Sequence, residues 1–452
     1  MTTTLAAREL ETRHHELRKT RMQMVDGHLT GNLRTVQQGL SARAYVDGYW
    51  GFASAPLEGA GQRERVQHEA LANARAMARF GPRRALEMGT EPYRGEHVFA
   101  GRAPLSATEC NERLAALHAH CLQQFPGLRA TRLLIGDEHH TKQLRTAAGG
   151  DSLASIQRAF CGIVLGAEDD SGAPIEVDLL RSCKGSLADL DWSLETLAPL
   201  LARAHEHLQT KRHAVAARGG QQTVVLAPEL AGMLAHEAMG HPCEADAVLG
   251  GAVTASLAGQ PVASALVTML DIAHTWNGEE AMAPVYVDDE GTPARDVTMI
   301  DKGRLTGFMH SRETAARLGE AATGNARAYN PNDEPLVRMR NTVILPGTSK
   351  LAEMIEGVDD GYLLMKTSNG QADSTTEFMF GVTLAYEIRG GKVGRAVRNT
   401  TVSGSALKVL GSVDAVSDDM HWDCSGYCGK KQPMIVSMGG PALRTRAHLG
   451  GE

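Results

Sequence analysis

The sequence predicts an α+β protein, and three observations carry that expectation. Strand-like patterning, β-branched or alternating runs between Gly, Asp and Pro turns, fills the opening stretch and most of the second half, whereas helical periodicity is confined to a few segments. Glycine, at 48 of 452 residues or about 11%, exceeds the roughly 7% of average usage and points to many turns. The length, with 42% hydrophobic content, is enough to bury more than one core, which favours two or three domains. The expected division is an N-terminal α+β domain over 1–218 and a mainly antiparallel-β domain over 219–452. Within the first, one sheet unit covers about 1–80, then a connector, then a second unit over about 106–218.

In chain order, Met22 to Val25, Leu33 to Val36 and Leu40 to Val46 lie in a Gly-punctuated region from about Leu5 to Gly51 and predict a small antiparallel sheet. Its hairpins turn at Asp26-Gly27 and Asp47-Gly48. Gln62 to Arg79 reads as an amphipathic helix, and Gly81 to Leu105 as a connector. Thr108 to Gln124 is predicted helical, with Leu114, Leu117 and Cys121 at helical spacing. Thr131 to Gly136, Ser155 to Leu165 and Ile175 to Leu180 read as strands, with His139-His140 in an exposed loop. A long helix is expected from Leu194 to Ala217, ended by Arg218-Gly219-Gly220. In the second half, Val285 to Val287, Val297 to Ile300, Leu305 to His310, Thr342 to Leu345, Glu377 to Ile388 and Lys392 to Arg398 read as strands. Ser349 to Tyr362 is the one further helix.

The chemistry concentrates between Leu226 and Pro242. Thr223 to Ala227 is a short buried strand, and Pro228, with its fixed φ and missing donor, suits the first position of a helix that runs to about Gly240. Leu230, Ala231, Met233, Leu234 and Ala238 make that helix apolar on nearly every side, so it is buried. His236 and Glu237 in such a helix need a partner for their polar groups, and a metal supplies one. His236 and His241 are five apart, however, and on a continuing α-helix they would diverge by roughly 140°. The expectation is that the helix stops: Gly240 terminates it and Pro242 pushes His241 out of the α region, swinging the second imidazole back. Cys243, Glu244, Cys424 and Cys428 all offer acceptable donors for a third ligand, and pattern alone does not choose among them.

Composition excludes several classes. A formal charge of −7 gives no basic field for nucleic acid or an anionic membrane. The seven dispersed cysteines read as a reducing compartment, not a disulfide framework. The first residues lack the apolar core of a signal peptide and no run approaches 18 apolar residues, so a soluble cytoplasmic protein is expected.

The His-Glu-x-x-x-His spacing of His236 to His241, followed by Pro-Cys-Glu244-Ala-Asp246, resembles the TldD branch of the TldD/PmbA metalloproteases. Further blocks resemble that family in its order: Asp288-Asp-Glu-Gly-Thr-Pro293, Gly303-Arg-Leu-Thr-Gly-Phe308, Thr323-Gly-Asn325, Arg338-Met-Arg-Asn-Thr342, Leu345-Pro-Gly347, Gly370-Gln-Ala-Asp373 and Cys428-Gly-Lys430. The resemblance implies a two-domain α+β subunit, a Zn2+ held by His236, His241 and Cys428, and Glu237 as the group that activates a water at the ion. Cys424 and Cys243 are then structural. Glu244 and Asp246 match the motif, and a role supporting the ligand histidines is favoured over direct ligation. Arg327, Arg338 and Arg340 are open between a substrate carboxylate and a structural role.

The resemblance also implies small or unfolded peptides as substrate, and a homodimer or a heterodimer with a related subunit that lacks the histidine motif. The expected function is therefore a zinc-dependent metallopeptidase of the TldD type. The alternatives are a dedicated natural-product amide hydrolase, or a scaffold that keeps zinc only for structure. Glu237, of no use to a closed structural site, counts against the scaffold.

Overall fold

The computed structural model describes residues 9–57, 59–81, 83–89 and 92–451, so the start of the first sheet at about Leu5 lies outside the described residues. It shows an α+β chain. Strands Glu9–Val25, His28–Val46 and Tyr49–Pro56 are joined by tight turns at Asp26-Gly27 and Asp47-Gly48, all four residues at positive φ as a twisted two-residue hairpin requires. These strands are long, and they do not form a small sheet of their own. Glu9–Val25 pairs along its other edge with Ala130–Thr146, which pairs with Asp151–Glu168, giving one seven-stranded sheet. Two shorter strands share the last edge: Arg94–His97, inside the expected connector, and Pro174–Lys184.

Helix Gln62–Ala78 packs Val66, Ala70 and Leu71 onto Leu40, Ala42 and Ala44. It comes so close that any Cβ on Gly51 would meet the backbone of Ala70 and Ala74. Helices Ala107–Gln124, opened by a Ser106–Glu109 capping box, and Leu194–Lys211 cover Met22, Met24, Leu133, Ile135, Cys161 and Ile163. The second of these stops at Lys211, well short of Ala217. The Lys211 ammonium is buried on the carbonyls of Glu176 and Thr383, and Val215 already bridges to Val397.

The second half wraps the candidate helix. Strands Asp360–Ala372, Gly220–Leu226, Leu443–Leu449, Thr400–Ser405 and Glu377–Arg389 close into a ring, because the first and last of them also pair, and Lys392–Val397 adds to its rim. A six-stranded sheet, from Arg304–Leu305 through Asn341–Ile344 to His421–Asp423, lies across from it. Helix Pro228–Leu234 sits between the two, with Gly232 flush against the backbone of Met438 and Gly439. The pairing is mostly antiparallel, with Gly220–Leu226 and Asn341–Ile344 each also entering one parallel ladder. Three expectations here are corrected. The helix of Ser349 to Tyr362 is only Leu351–Glu356, and Tyr362 lies in a strand opposite Val224. The strand of Leu305 to His310 is only Arg304–Leu305, and Val285 to Val287 lies outside the strands.

Where the two halves meet, charge is buried. Arg43 pairs with Glu11 and Glu290, Arg312 with Glu9 at 2.5 Å and with Glu11, and Lys142 with Asp289 at 2.6 Å. His139 and His140, far from an exposed loop, lie within strand Ala130–Thr146, because that strand runs on past Gly136. The His140 Nδ1 is 3.1 Å from His15 Nε2. Burial holds both imidazoles well below the ordinary histidine range, helped at His15 by the charges of Lys142 and Arg13 and at His140 by His15 and then Lys142. Both are therefore neutral in the fold, while the unfolded chain takes up their protons as pH falls through about 6.5. Stability present above that value is expected to fall by about 1.4 kcal/mol per pH unit for each histidine below it. Melting temperature measured from pH 8 to 5 checks this, and replacing both histidines by Gln should flatten the slope.

Candidate metal centre

The helix that begins at Pro228 does not stop at Gly240. It changes gauge: Pro228–Leu234 is α-helical, Ala235–Gly240 is π-helical, and His241–Cys243 tightens to a 3-10 turn. The N–H of His241 donates to the carbonyl of His236, five residues back. Widening the turn by one residue puts positions five apart on one face, which an α-helix would leave about 140° askew. The expected unwinding is thus corrected, since Gly240 (φ −60°, ψ −56°) and His241 (φ −60°, ψ −47°) both keep helical angles. Gly240 is there for packing, because a Cβ would run into the Met339 sulfur. Pro242 needs no donor at the start of the tight turn.

Cys428 arrives on a separate hairpin, Tyr427–Lys430 with Gln432–Ile435. His236, His241 and Cys428 offer ligand atoms that all lie within 4.8 Å of one another. The Cys428 Sγ is 3.3 Å from His241 Nε2, and the two imidazoles meet edge to face with centroids 5.2 Å apart. Burial pushes the Cys428 thiol up, but His236 and then His241 reverse this and bring it well below the usual range. Burial lowers His241, but Cys428 and Glu244 raise it well above the ordinary histidine value.

The residues fit zinc. Two nitrogens and a thiolate-prone sulfur are a zinc donor set. Ligands at tetrahedral angles around one ion stand roughly 3.6 Å apart, close to the Cys428–His241 separation. His236 Nδ1 is buried with no hydrogen-bond partner among the described residues.

Around the cluster the other sequence candidates fall into place. Glu237, half-buried, brings Oε2 to 3.9 Å from His241 Nε2, and the absent side chain of Gly370 leaves its Cγ room. Glu244 Oε2 lies 3.1 Å from His241 Nδ1. Burial alone would raise the Glu244 carboxyl, but His241, Lys430 and Arg338 bring it to about 2. Asp246 touches neither histidine. It holds the Lys430 ammonium at 2.6 Å, and the same ammonium reaches Glu244 at 3.0 Å and the Val337 carbonyl at 3.1 Å. Cys243 and Cys424 are buried outside the cluster, and their thiols are pushed up by burial.

The three arginines are engaged by groups of the chain itself. Arg338 donates to the carbonyls of Cys428 (2.7 Å) and Gln432 (2.8 Å), Arg340 pairs with Asp271 at 2.8 Å, and Arg327 donates to the Met339 carbonyl at 2.6 Å. All three are buried, which favours the structural side of their open reading. Sequence reasoning missed Lys430 as the cation of this shell, although a strand places Cys428 and Lys430, two apart, on one face. A cleft of about 410 Å³ opens beside the cluster, lined by Glu237, His241, Gly370, Gln371, Tyr427 and Lys430 among others.

Known proteins resemble this chain along most of its length. The family model described as the PmbA/TldA metallopeptidase C-terminal domain matches residues 219–449, and that of PmbA/TldA metallopeptidase domain 1 matches residues 10–78. The zinc metalloprotease TldD homolog of Saccharolobus solfataricus is 27% identical over 91% of this chain and 89% of its own. A metalloprotease of Methanothermobacter thermautotrophicus is 28% identical over 95% of this chain and 92% of its own. Among solved structures, TldE from Thermococcus kodakarensis shares the fold with a TM-score of 0.74 at 16% identity, covering 98% of this chain and 97% of that one. Among the described residues no helix is long and apolar enough to cross a membrane.

Proposed function

The chain belongs to the PmbA/TldD family of metallopeptidases, and on that premise we propose that it is a zinc-dependent peptidase in which His236, His241 and Cys428 hold the ion and Glu237 moves the proton. The observation that carries this reading is the Glu237 carboxylate, 3.9 Å from the His241 nitrogen and on the wall of an open cleft. A site that held zinc only for structure would have no use for it there. Zinc, when bound, supplies a Lewis acid for the scissile carbonyl and lowers the pKa of water to roughly 7. Glu237 takes a proton from the attacking water and returns it to the leaving amine, base first and acid afterwards. Glu244 accepts from His241 Nδ1 and so fixes the tautomer that leaves Nε2, on the Cys428 side, free to hold the ion that would bind there. Lys430 keeps Glu244 charged, and Asp246 keeps Lys430 in place.

The cleft of about 410 Å³ admits a few residues of extended chain and not a folded protein, which supports small or unfolded peptides as the substrate class. The division of labour we propose puts the chemistry in 219–452 and its support in 1–218, and the working form as a homodimer or a pair with a related subunit, in a cytoplasmic setting. Hydrolysis of a mixed peptide library beside small amides, by the purified zinc-loaded protein, tests the reading. Cleavage of several peptides, lost to a chelator and regained with zinc, is expected. Cleavage of one small amide alone would point to a dedicated biosynthetic hydrolase instead. Light scattering on the same preparation reports the assembly, and a fully active 48.3 kDa species would remove the pairing.

A further inference from the structure

Cys428 rides on a four-residue strand that, among the described residues, pairs with one other, and a two-stranded ladder is marginal by itself. What holds it comes in part from the far half of the chain. Arg158, on strand Asp151–Glu168, is fully buried, and its guanidinium crosses to the run that leads into Cys428. It donates to the carbonyls of Cys424, at 2.5 Å, and Gly426, and lies 4.2 Å from the centre of the Tyr427 ring. Glu138 stands directly opposite Arg158 on the neighbouring strand. One carboxylate oxygen is 3.4 Å from Arg158, while the other accepts the hydroxyls of Tyr427 and, at 2.7 Å, Tyr329. Lys19 adds its charge at 3.6 Å. Two facing residues of the N-terminal sheet therefore grip the backbone at 424 and 426 and the ring and hydroxyl of the side chain at 427. Arg338 grips the carbonyl at 428 itself from the other side.

We propose that Arg158 and Glu138 are positioning residues of the metal centre, which fix the place of the Cys428 sulfur through the backbone of Cys424 and Gly426 and through the Tyr427 ring. This rests on the reading of Cys428 as a zinc ligand. A role as simple stabilisers explains the pair poorly, because desolvation cancels most of what a buried ion pair gains. What arginine provides that lysine does not is a second rigidly placed nitrogen: Nη1 donates to both carbonyls while Nη2 lies 3.4 Å from Glu138, and the guanidinium sits over the Tyr427 ring. The Tyr427 ring, half of it exposed in the cleft, is placed by the same grip. The N-terminal sheet is then a part of the active site and not only its neighbour.

The test uses the full chain with Arg158→Lys, Tyr427→Phe and a control, Leu114→Ala, in the helical core of the same half. Three quantities are read for each: zinc affinity by chelator competition, kcat and KM on a cleaved peptide, and melting temperature. Arg158→Lys is expected to weaken zinc on the order of tenfold and to lower kcat by a similar factor, with KM nearly unchanged, as loss of outer support does at metal sites. Tyr427→Phe should move the same two quantities less. Leu114→Ala should lower the melting temperature and leave zinc affinity alone. Parental zinc affinity and kcat in folded Arg158→Lys would overturn the proposal. If that variant does not fold, parental values for both in Tyr427→Phe overturn it equally. Cys428→Ala separates the two levels: if it binds zinc like the parent, the ligand reading has failed, and if it loses zinc while the other two variants keep it, only the grip has.

Discussion

Glu237→Gln is expected to lower peptide hydrolysis by about 10²- to 10⁴-fold while zinc content and melting temperature stay at parental values. The amide keeps the size of the side chain and its place beside His241, on the wall of the cleft, so neither the cluster nor the packing around Gly370 is disturbed. It cannot accept the proton of a water. At about 1.4 kcal/mol per tenfold, the loss is roughly 3 to 5 kcal/mol of barrier, far more than a residue that only touches substrate would cost. Metal content, a melting curve and a steady-state rate on the same sample check it. A variant that is folded, zinc-loaded and as fast as the parent would remove Glu237 from the mechanism. Glu244 would not replace it readily, since that carboxylate is committed to His241 and Lys430.

Ala at His236, His241 or Cys428 is expected to reduce bound zinc from about one per chain to a small fraction, with activity falling in step. Removing a ligand atom should exceed the 10- to 100-fold that loss of an outer partner typically costs. Replacing Cys243 or Cys424, buried outside the cluster, should leave the metal content unchanged. Mass spectrometry of native protein after dialysis gives the occupancy directly. Full occupancy in Cys428→Ala would take that residue out of the site.

Much of this site is legible in the sequence because its signals are local. Pro228 after a β-branched run, small apolar residues and a His-Glu pair mark a buried helix with chemistry on it, and the structure has that helix. The gauge change was not legible. Gly240 and Pro242 read as a stop on any local rule, and only the Met339 side chain, about a hundred residues on, shows that Gly240 is small to make room. The ends of the long strands escaped for a related reason. His139 and His140 look like loop residues until Glu9–Val25 pairs alongside them and Tyr329 of the second half packs on the His140 ring. The ionic junction joins Arg43 to Glu290 across 247 positions and Arg312 to Glu11 across 301, and no pattern in either segment announces the other. Helices Gln62–Ala78 and Ala107–Gln124, whose apolar spacing is contained within themselves, agree with expectation to within a residue.

The central claim is that one sulfur and two imidazoles of this chain hold a catalytic zinc. X-ray absorption at the zinc edge of the loaded protein tests it most directly. The expected spectrum has a single sulfur at about 2.3 Å and two imidazole nitrogens at about 2.0–2.1 Å, with one lighter ligand completing the shell, and the sulfur contribution should vanish in any zinc that Cys428→Ala retains. A shell without sulfur, or one of several sulfurs, would contradict the account.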